Sequence, residues 1–216
     1  MVKILGGHGS LFDQFIGEIR NLKVQNDRMR FRRNLERIGE LMAYEISKVL
    51  EWNEGTITTP LGDANLPVIA EQPIIATILR AGLPLHQGIL NYFDQADNCF
   101  ISAYRMNHKE DGSFDIKIEY LSSPSVEDKT VILCDPMLAT GGSMVLAYKA
   151  LIRRGKPKHV HIVAAISSRE GLEYCERHLP KNCTIWIGAV DEELTAQAYI
   201  VPGLGDAGDL AYGGKE

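Results

Sequence analysis

The sequence predicts an α/β fold: a mostly parallel central sheet flanked by helices. Two patterns carry this expectation. Continuous apolar runs recur along the chain, PIIATIL (73–79), CFISAY (99–104), TVILC (130–134), HVHIVAAIS (159–167) and TIWIG (184–188). Short unbroken runs of this kind belong to strands buried on both faces. Between several of them, residues 83–92, 143–153 and 170–178 place apolar side chains at helical spacing. Strands alternating with helices form βα units, whose strands lie parallel.

The remaining elements follow from local chemistry. Over residues 34–50, Leu35, Ile38, Leu41, Met42, Ile46 and Val49 recur at three- and four-residue steps, the mark of a long amphipathic helix. RMRFRR (28–33) precedes it and reads as a small basic patch, a solvated face or a subunit contact. Residues 55–65 contain Pro60 and Gly62, so a loop or an edge hairpin is expected. Residues 106–129 are polar, with Asp111-Gly112 ahead of the alternating run FDIKIEY; they read as a long mobile hairpin. Gly6-Gly7-His8-Gly9 reads as a flexible turn, and residues 1–33 and 189–216 are expected to pack together as a small appendage. With no linker or internal repeat, one domain spanning 1–216 is expected.

Composition excludes several classes of function. Apolar residues at 45% and charged residues at 24% are ordinary for a globular chain, which leaves no case for disorder or a fibrous repeat. A net charge of −5 disfavours a nucleic-acid partner. No apolar run approaches a membrane span, and the N-terminal apolar stretch is short for a signal peptide. Cytoplasmic residence without membrane contact is therefore expected. Cys99, Cys134, Cys175 and Cys183 form no C-x-x-C pair and read as reduced thiols, with Cys134 a small hydrophobe in a strand. His159 and His161 share one side of a strand without a third ligand nearby, so a structural role is expected and no protein metal site.

Three segments carry chemistry. In VILCDPMLATGGSM (131–144) a buried strand ends in Asp135, and a small-residue loop then opens a helix. Ligands of open α/β sheets bind beyond the carboxyl ends of strands, and unpaired N–H groups at a helix start cradle phosphate. Thr140, Gly141, Gly142 and Ser143 offer backbone N–H groups and two hydroxyls for that purpose, with Asp135 beside the sugar of a sugar phosphate. The P-loop pattern fails because Gly142, not lysine, precedes Ser143. A plain helix-capping turn is the bland alternative.

Arg80 directly follows PIIATIL, and Arg105 follows CFISAY. Two guanidinium groups leaving neighbouring strands at one edge can clamp a pyrophosphate; surface ion pairs are the alternative reading. AYIVPGLGDAGDLAYG (198–213) contains G-x-G-x-x-G at Gly203, Gly205 and Gly208. A dinucleotide fingerprint needs a further helix and strand, for which eight residues after Gly208 leave no room. The segment instead offers a stiff backbone suited to reading the edge of a flat base, together with Asp206 and Asp209; a C-terminal glycine-rich turn is the bland alternative.

Taken in order, ILRAGLPL (78–85), AYR (103–105), DPMLATGGS (135–143), YIVPGLGDAGD (199–209) and RNLERIGELMAYE (33–45) resemble the signatures of the uracil phosphoribosyltransferases over nearly the whole chain. Pro136, where most phosphoribosyltransferases carry a second acid, is typical of the uracil enzymes. The resemblance implies transfer of ribose 5-phosphate from phosphoribosyl pyrophosphate (PRPP) to uracil, giving UMP. It implies that Asp135, Pro136, Met137, Leu138, Ala139, Thr140, Gly141, Gly142 and Ser143 hold the ribose 5-phosphate. Arg80 and Arg105 would hold the pyrophosphate, and Asp206 would also approach PRPP. Ile200, Gly205, Asp206 and Ala207 would frame uracil, and Arg105, Asp135 and Asp206 would be catalytic.

It also implies Mg²⁺ carried by PRPP, a homodimer or homotetramer, and GTP as a candidate effector. The stretch HKEDGSFDIKIEYLSSPS departs from the family pattern and contributes no site residue. Two rivals are a phosphoribosyltransferase for another base and an RNA-binding regulator on the same fold. Pro136 and GLGDAGD count against the first, the acidic net charge against the second.

Overall fold

The computed structural model describes residues 1–105 and 116–214. In chain order the elements are β1 (Val2–Ile4), α1 (Leu11–Arg20), α2 (Arg28–Ser47), β2 (Trp52–Thr59), β3 (Gly62–Ile69), β4 (Ile74–Leu79), α3 (Leu83–Leu90), β5 (Asn98–Arg105) and β6 (Ile116–Ser122). They continue with β7 (Thr130–Cys134), β8 (Met137–Leu138), α4 (Gly142–Leu151), β9 (His159–Ser168), α5 (Arg169–His178), β10 (Cys183–Asp191), β11 (Glu193–Leu194), β12 (Ile200–Val201) and α6 (Ala207–Tyr212).

Seven strands form the central sheet in the order β1-β10-β9-β7-β4-β5-β6, with β8 adding to β9 past the end of β7. Every pairing is parallel except β5 with β6. The apolar runs build this sheet because alternate residues face opposite layers. Ile75, Ile132, Val163 and Trp186 join the layer of α1, α2, α3 and α6, whereas Ile74, Val131, Ile162 and Ile185 join that of α4 and α5. Full burial of an Ile, Leu or Phe contributes about 1.5–3 kcal/mol, so both layers hold the sheet firmly.

The chain reverses direction across the sheet between β4 and β7. From β4 it runs through α3 to β5 on one side; from β7 it runs through α4 to β9 on the other. Since α3 and α4 cover opposite faces, their starts diverge and leave a crevice beyond the strand ends. This is the switch point at which open α/β sheets bind ligands.

Several expectations need adjustment. The long helix starts at Arg28, ahead of the apolar stripe, because the Asp27 carboxylate caps it by accepting from the Arg30 N–H at 3.0 Å. Phe31 and Asn34 are buried, so RMRFRR is the helix's first turns. Three of its four arginines bond within the molecule: Arg30 with Glu18, Arg32 with the Ala211 carbonyl, and Arg33 with Glu36.

Residues 55–65 belong to a hairpin of β2 and β3 that forms its own two-stranded sheet. Of the expected 106–129 hairpin, β6 is the antiparallel edge strand of the central sheet, while residues 106–115 lie outside the described residues. The two termini do pack together, but in the main core: Phe12, Ile16, Ile19, Leu204 and Ala211 join the cluster around Trp186. β1, unforeseen because three residues carry little pattern, pairs with β10. The Gly6–Gly9 turn is tied down by the Asp13 carboxylate, which accepts from the Gly7, His8 and Ser10 N–H groups. Those bonds hold its pKa below the usual carboxylate value.

The four cysteines are buried and unpaired. His161 is buried and its Nδ1 accepts from the Trp186 indole N–H at 3.1 Å, while His159 bonds to Thr184. Burial, then the neighbouring His159 and Lys3, pushes His161 down to about 3 from 6.5. The folded chain therefore keeps this ring neutral where the unfolded chain takes up a proton. Its contribution to stability is complete above pH 6.5 and is lost as the pH falls toward 3. Thermal melts of His161→Asn, which retains an acceptor for Trp186, should show a shallower loss of stability on acidification than the parent. Helices α2 and α3 cross at Gly39 and Gly88, where an added Cβ would overlap the Leu85 and Glu36 carbonyls. Gly88→Ala should cost about 1–3 kcal/mol in urea unfolding.

Candidate active site

The switch-point crevice is a cavity of about 490 Å³. Three segments meet in it: Ile78–Ala81 at the end of β4, the stretch from Asp135 to Ser143 after β7, and Gly205–Gly208 at the start of α6. Loop and tail residues thus face one space, although ~60 residues separate them along the chain, a span closed here by tertiary packing.

The loop is shaped by its neighbours. Asp135 leaves β7 with its N–H on the Val163 carbonyl at 3.1 Å. β8 then pairs with the end of β9, matching Met137 to Ile166 and Leu138 to Ser167. Ser167 donates to the Leu138 carbonyl at 3.2 Å, Ser168 donates to the Ala139 carbonyl, and Gly171 lies directly beneath it. Gly141 takes φ +77 at the N-cap of α4, and a Cβ there would strike the Gly171 carbonyl and Cys175. The first N–H groups of α4 have no carbonyl one turn back, the chemistry with which helix starts hold anions.

The tail is fixed from behind. Asp191 accepts from the Gly203 N–H at 3.0 Å and forms a 2.7 Å ion pair with Arg20. Gly203 and Gly205 have φ of +56 and +94, a region open to glycine at little cost. Asp206 caps α6 by accepting from the Asp209 N–H at 3.0 Å. Arg80 extends from the end of β4 toward this helix, with Nη2 3.3 Å from the Gly213 carbonyl and 3.7 Å from Asp209. Gly82 is required behind it, since a Cβ would overlap the Ile78 carbonyl and the Thr77 hydroxyl.

Of the residues singled out in the sequence, Arg80, Asp135, Met137, Leu138, Ala139, Thr140, Gly141, Ser143, Gly205, Asp206 and Ala207 line the cavity. Pro136, Gly142 and Ile200 stand behind the lining. The Pro136 carbonyl accepts from Ile166, Gly142 begins α4, and Ile200 is buried in the core. Arg105 ends β5, three residues past the Ser102–Leu79 pairing and at the same edge as Arg80; its side chain lies outside the described residues. Ala198 and Tyr199 also line the cavity. The sequence reading overlooked them, along with the supports Ser167, Ser168, Gly171, Arg20 and Asp191. Ser168 alone left a trace, an N-cap serine after an apolar run.

A sequence profile described as uracil phosphoribosyltransferase matches residues 10–214. The uracil phosphoribosyltransferase of Porphyromonas gingivalis (strain ATCC 33277) is 56% identical over 98% of this chain and 97% of its own. The chain belongs to the uracil phosphoribosyltransferase family. The Methanothermobacter thermautotrophicus member is 40% identical over 85% of this chain and 83% of its own. Among solved structures, the AQ2163 protein from Aquifex aeolicus superposes with a TM-score of 0.86 at 31% identity, over 99% of this chain and 98% of that one.

Two carboxylates, Asp135 and Asp206, share this family member's cavity with Arg80. Burial pushes Asp135 up to about 7; the negative charge of Asp206 adds to the rise and the Met137 N–H opposes it. The folded chain thus holds this proton more tightly than the unfolded chain, whose carboxyl titrates near 3.8. The associated stability is present below that value and is lost as the pH rises to about 7. Asp135→Asn removes the charge without the volume. The variant should melt higher than the parent at pH 8 and show a smaller decline between pH 4 and 7 in calorimetry.

Proposed function

We propose that this protein transfers the ribose 5-phosphate of PRPP to uracil, releasing UMP and diphosphate, as a pentosyl transferase of pyrimidine salvage. The observation that carries this reading is the shared cavity: an anion-binding helix start and a glycine-rich tail face one space at the switch point, in a chain of this family.

The residue roles follow from placement. The ribose 5-phosphate lies in the loop Asp135–Ser143, with the N–H groups of Thr140 to Ser143 on its phosphate and Asp135 beside the sugar. Arg80 and Arg105 face the diphosphate. Uracil lies along Gly205 to Ala207, read by backbone groups that match its alternating donors and acceptors. Ile200 supports that stretch from the core, while Pro136 and Gly142 shape the loop. Cleavage at C1′ leaves a sugar of oxocarbenium character, and negative charge grows on the departing diphosphate. Arginines aimed at that charge lower the barrier, and both substrates are held in line for it. No covalent intermediate is needed.

Magnesium, as carried by PRPP, would neutralise diphosphate charge. The cavity fits an ion that comes with its own ligands, because Asp135 and Asp206 are the acids lining it, and magnesium readily keeps phosphate and water ligands. A homodimer or homotetramer, GTP as effector and cytoplasmic residence belong to the same reading. No helix among the described residues is long and apolar enough to cross a membrane.

Incubation with PRPP, magnesium and uracil should yield UMP by chromatography. Arg105→Ala should lower turnover ~10²-fold or more, as loss of a charge-stabilising donor does; near-normal turnover would remove Arg105 from the clamp. Cytosine should react far more slowly than uracil, because a site built to pair with a base edge rejects an edge of different polarity. Equal rates would exclude the tail as the base reader.

A further inference from the structure

The contact between Arg80 and the helix that follows Asp206 has no part in the transfer as described above. Both recorded contacts of the guanidinium fall on one nitrogen: Nη2 lies 3.3 Å from the Gly213 carbonyl and 3.7 Å from the Asp209 carboxylate. Both side chains are exposed, at 42% for Arg80 and 46% for Asp209. A guanidinium has five N–H donors in a rigid fork. Contacts on Nη2 therefore leave Nη1 and Nε to meet diphosphate without breaking the bridge to α6.

The other end of the bridge lies on the helix that follows the segment assigned to uracil. Asp206 lines the cavity and accepts from the Asp209 N–H, so the two acids are held on one turn. Gly208 stands between them and the arginine; a Cβ there would lie 3.1 Å from Asp206 Oδ1 and 3.9 Å from Arg80 Nη2. The guanidinium thus reaches the turn that holds Asp206 through Asp209.

We propose that Asp209 is a positioning residue which, acting through Arg80, couples occupancy of the diphosphate site to occupancy of the uracil site. This rests on the assignment of Arg80 to diphosphate and of Gly205 to Ala207 to uracil. The coupling is positive, because the bridge and the diphosphate contacts use different nitrogens. Linkage makes it reciprocal, so it can be read from either ligand.

The experiment titrates magnesium diphosphate into the protein calorimetrically, with and without saturating uracil. In the parent, uracil should tighten diphosphate binding. Asp209→Asn should bring that factor toward one, a loss of about two- to fivefold for an exposed ion pair, whereas Asp209→Glu should preserve it. In an Arg80→Ala background, Asp209→Asn should change the factor no further. If Asp209→Asn keeps the parental factor, or weakens diphosphate binding equally with and without uracil, Asp209 is a structural residue and the coupling is refuted. UMP formation by the parent separates the two levels. Where UMP forms and Asp209→Asn keeps the factor, this inference alone falls; where no UMP forms, the site assignment falls with it.

Discussion

Parallel pairing of β4 with β7, with the chain leaving the two strands in opposite directions across the sheet, is the constraint on which the site depends. Parallel strands place both carboxyl ends at one edge. Helices leaving to opposite faces then cannot close over that edge. Arg80 and the loop from Asp135 therefore open into one crevice. The long apolar runs enforce the pairing, since each strand buries side chains on both faces and can be satisfied only between two helical layers.

Glycine chemistry and hydrogen bonds from behind give the crevice its shape. The loop after β7 is held from below by the β9–α5 junction, where two serine hydroxyls engage consecutive loop carbonyls and Gly171 permits close approach. Those bonds fix the course of the loop along the cavity wall. The tail is anchored through Asp191 and Arg20, elements from opposite ends of the chain. Residues that never touch a substrate thus set the positions of those assigned to it.

The site is also electrostatically unfavourable to the empty protein. Two carboxylates face one cavity, and Asp135 has its proton affinity raised to near neutrality. Such an arrangement sacrifices some stability for a polar site, a common feature of active sites. Arg80 lines the same cavity but directs its guanidinium to Asp209 and the Gly213 carbonyl rather than to either of these acids.

The sequence by itself determined the fold class, the five principal strands and the helices between them, because burial on two faces and helical periodicity are local patterns. It also singled out Asp135, Thr140, Gly141, Gly205 and Asp206, whose glycine, hydroxyl and carboxyl chemistry at a strand or helix end is legible without coordinates. The tertiary structure alone decided that loop and tail meet, that RMRFRR is the start of α2, and that the termini belong to the core. It alone revealed Ser167, Gly171, Arg20 and Asp191 as supports and Tyr199 as part of the lining. Each of these depends on contacts between residues far apart in the chain, and a one-dimensional pattern records which side chains are apolar or small but not what they will touch.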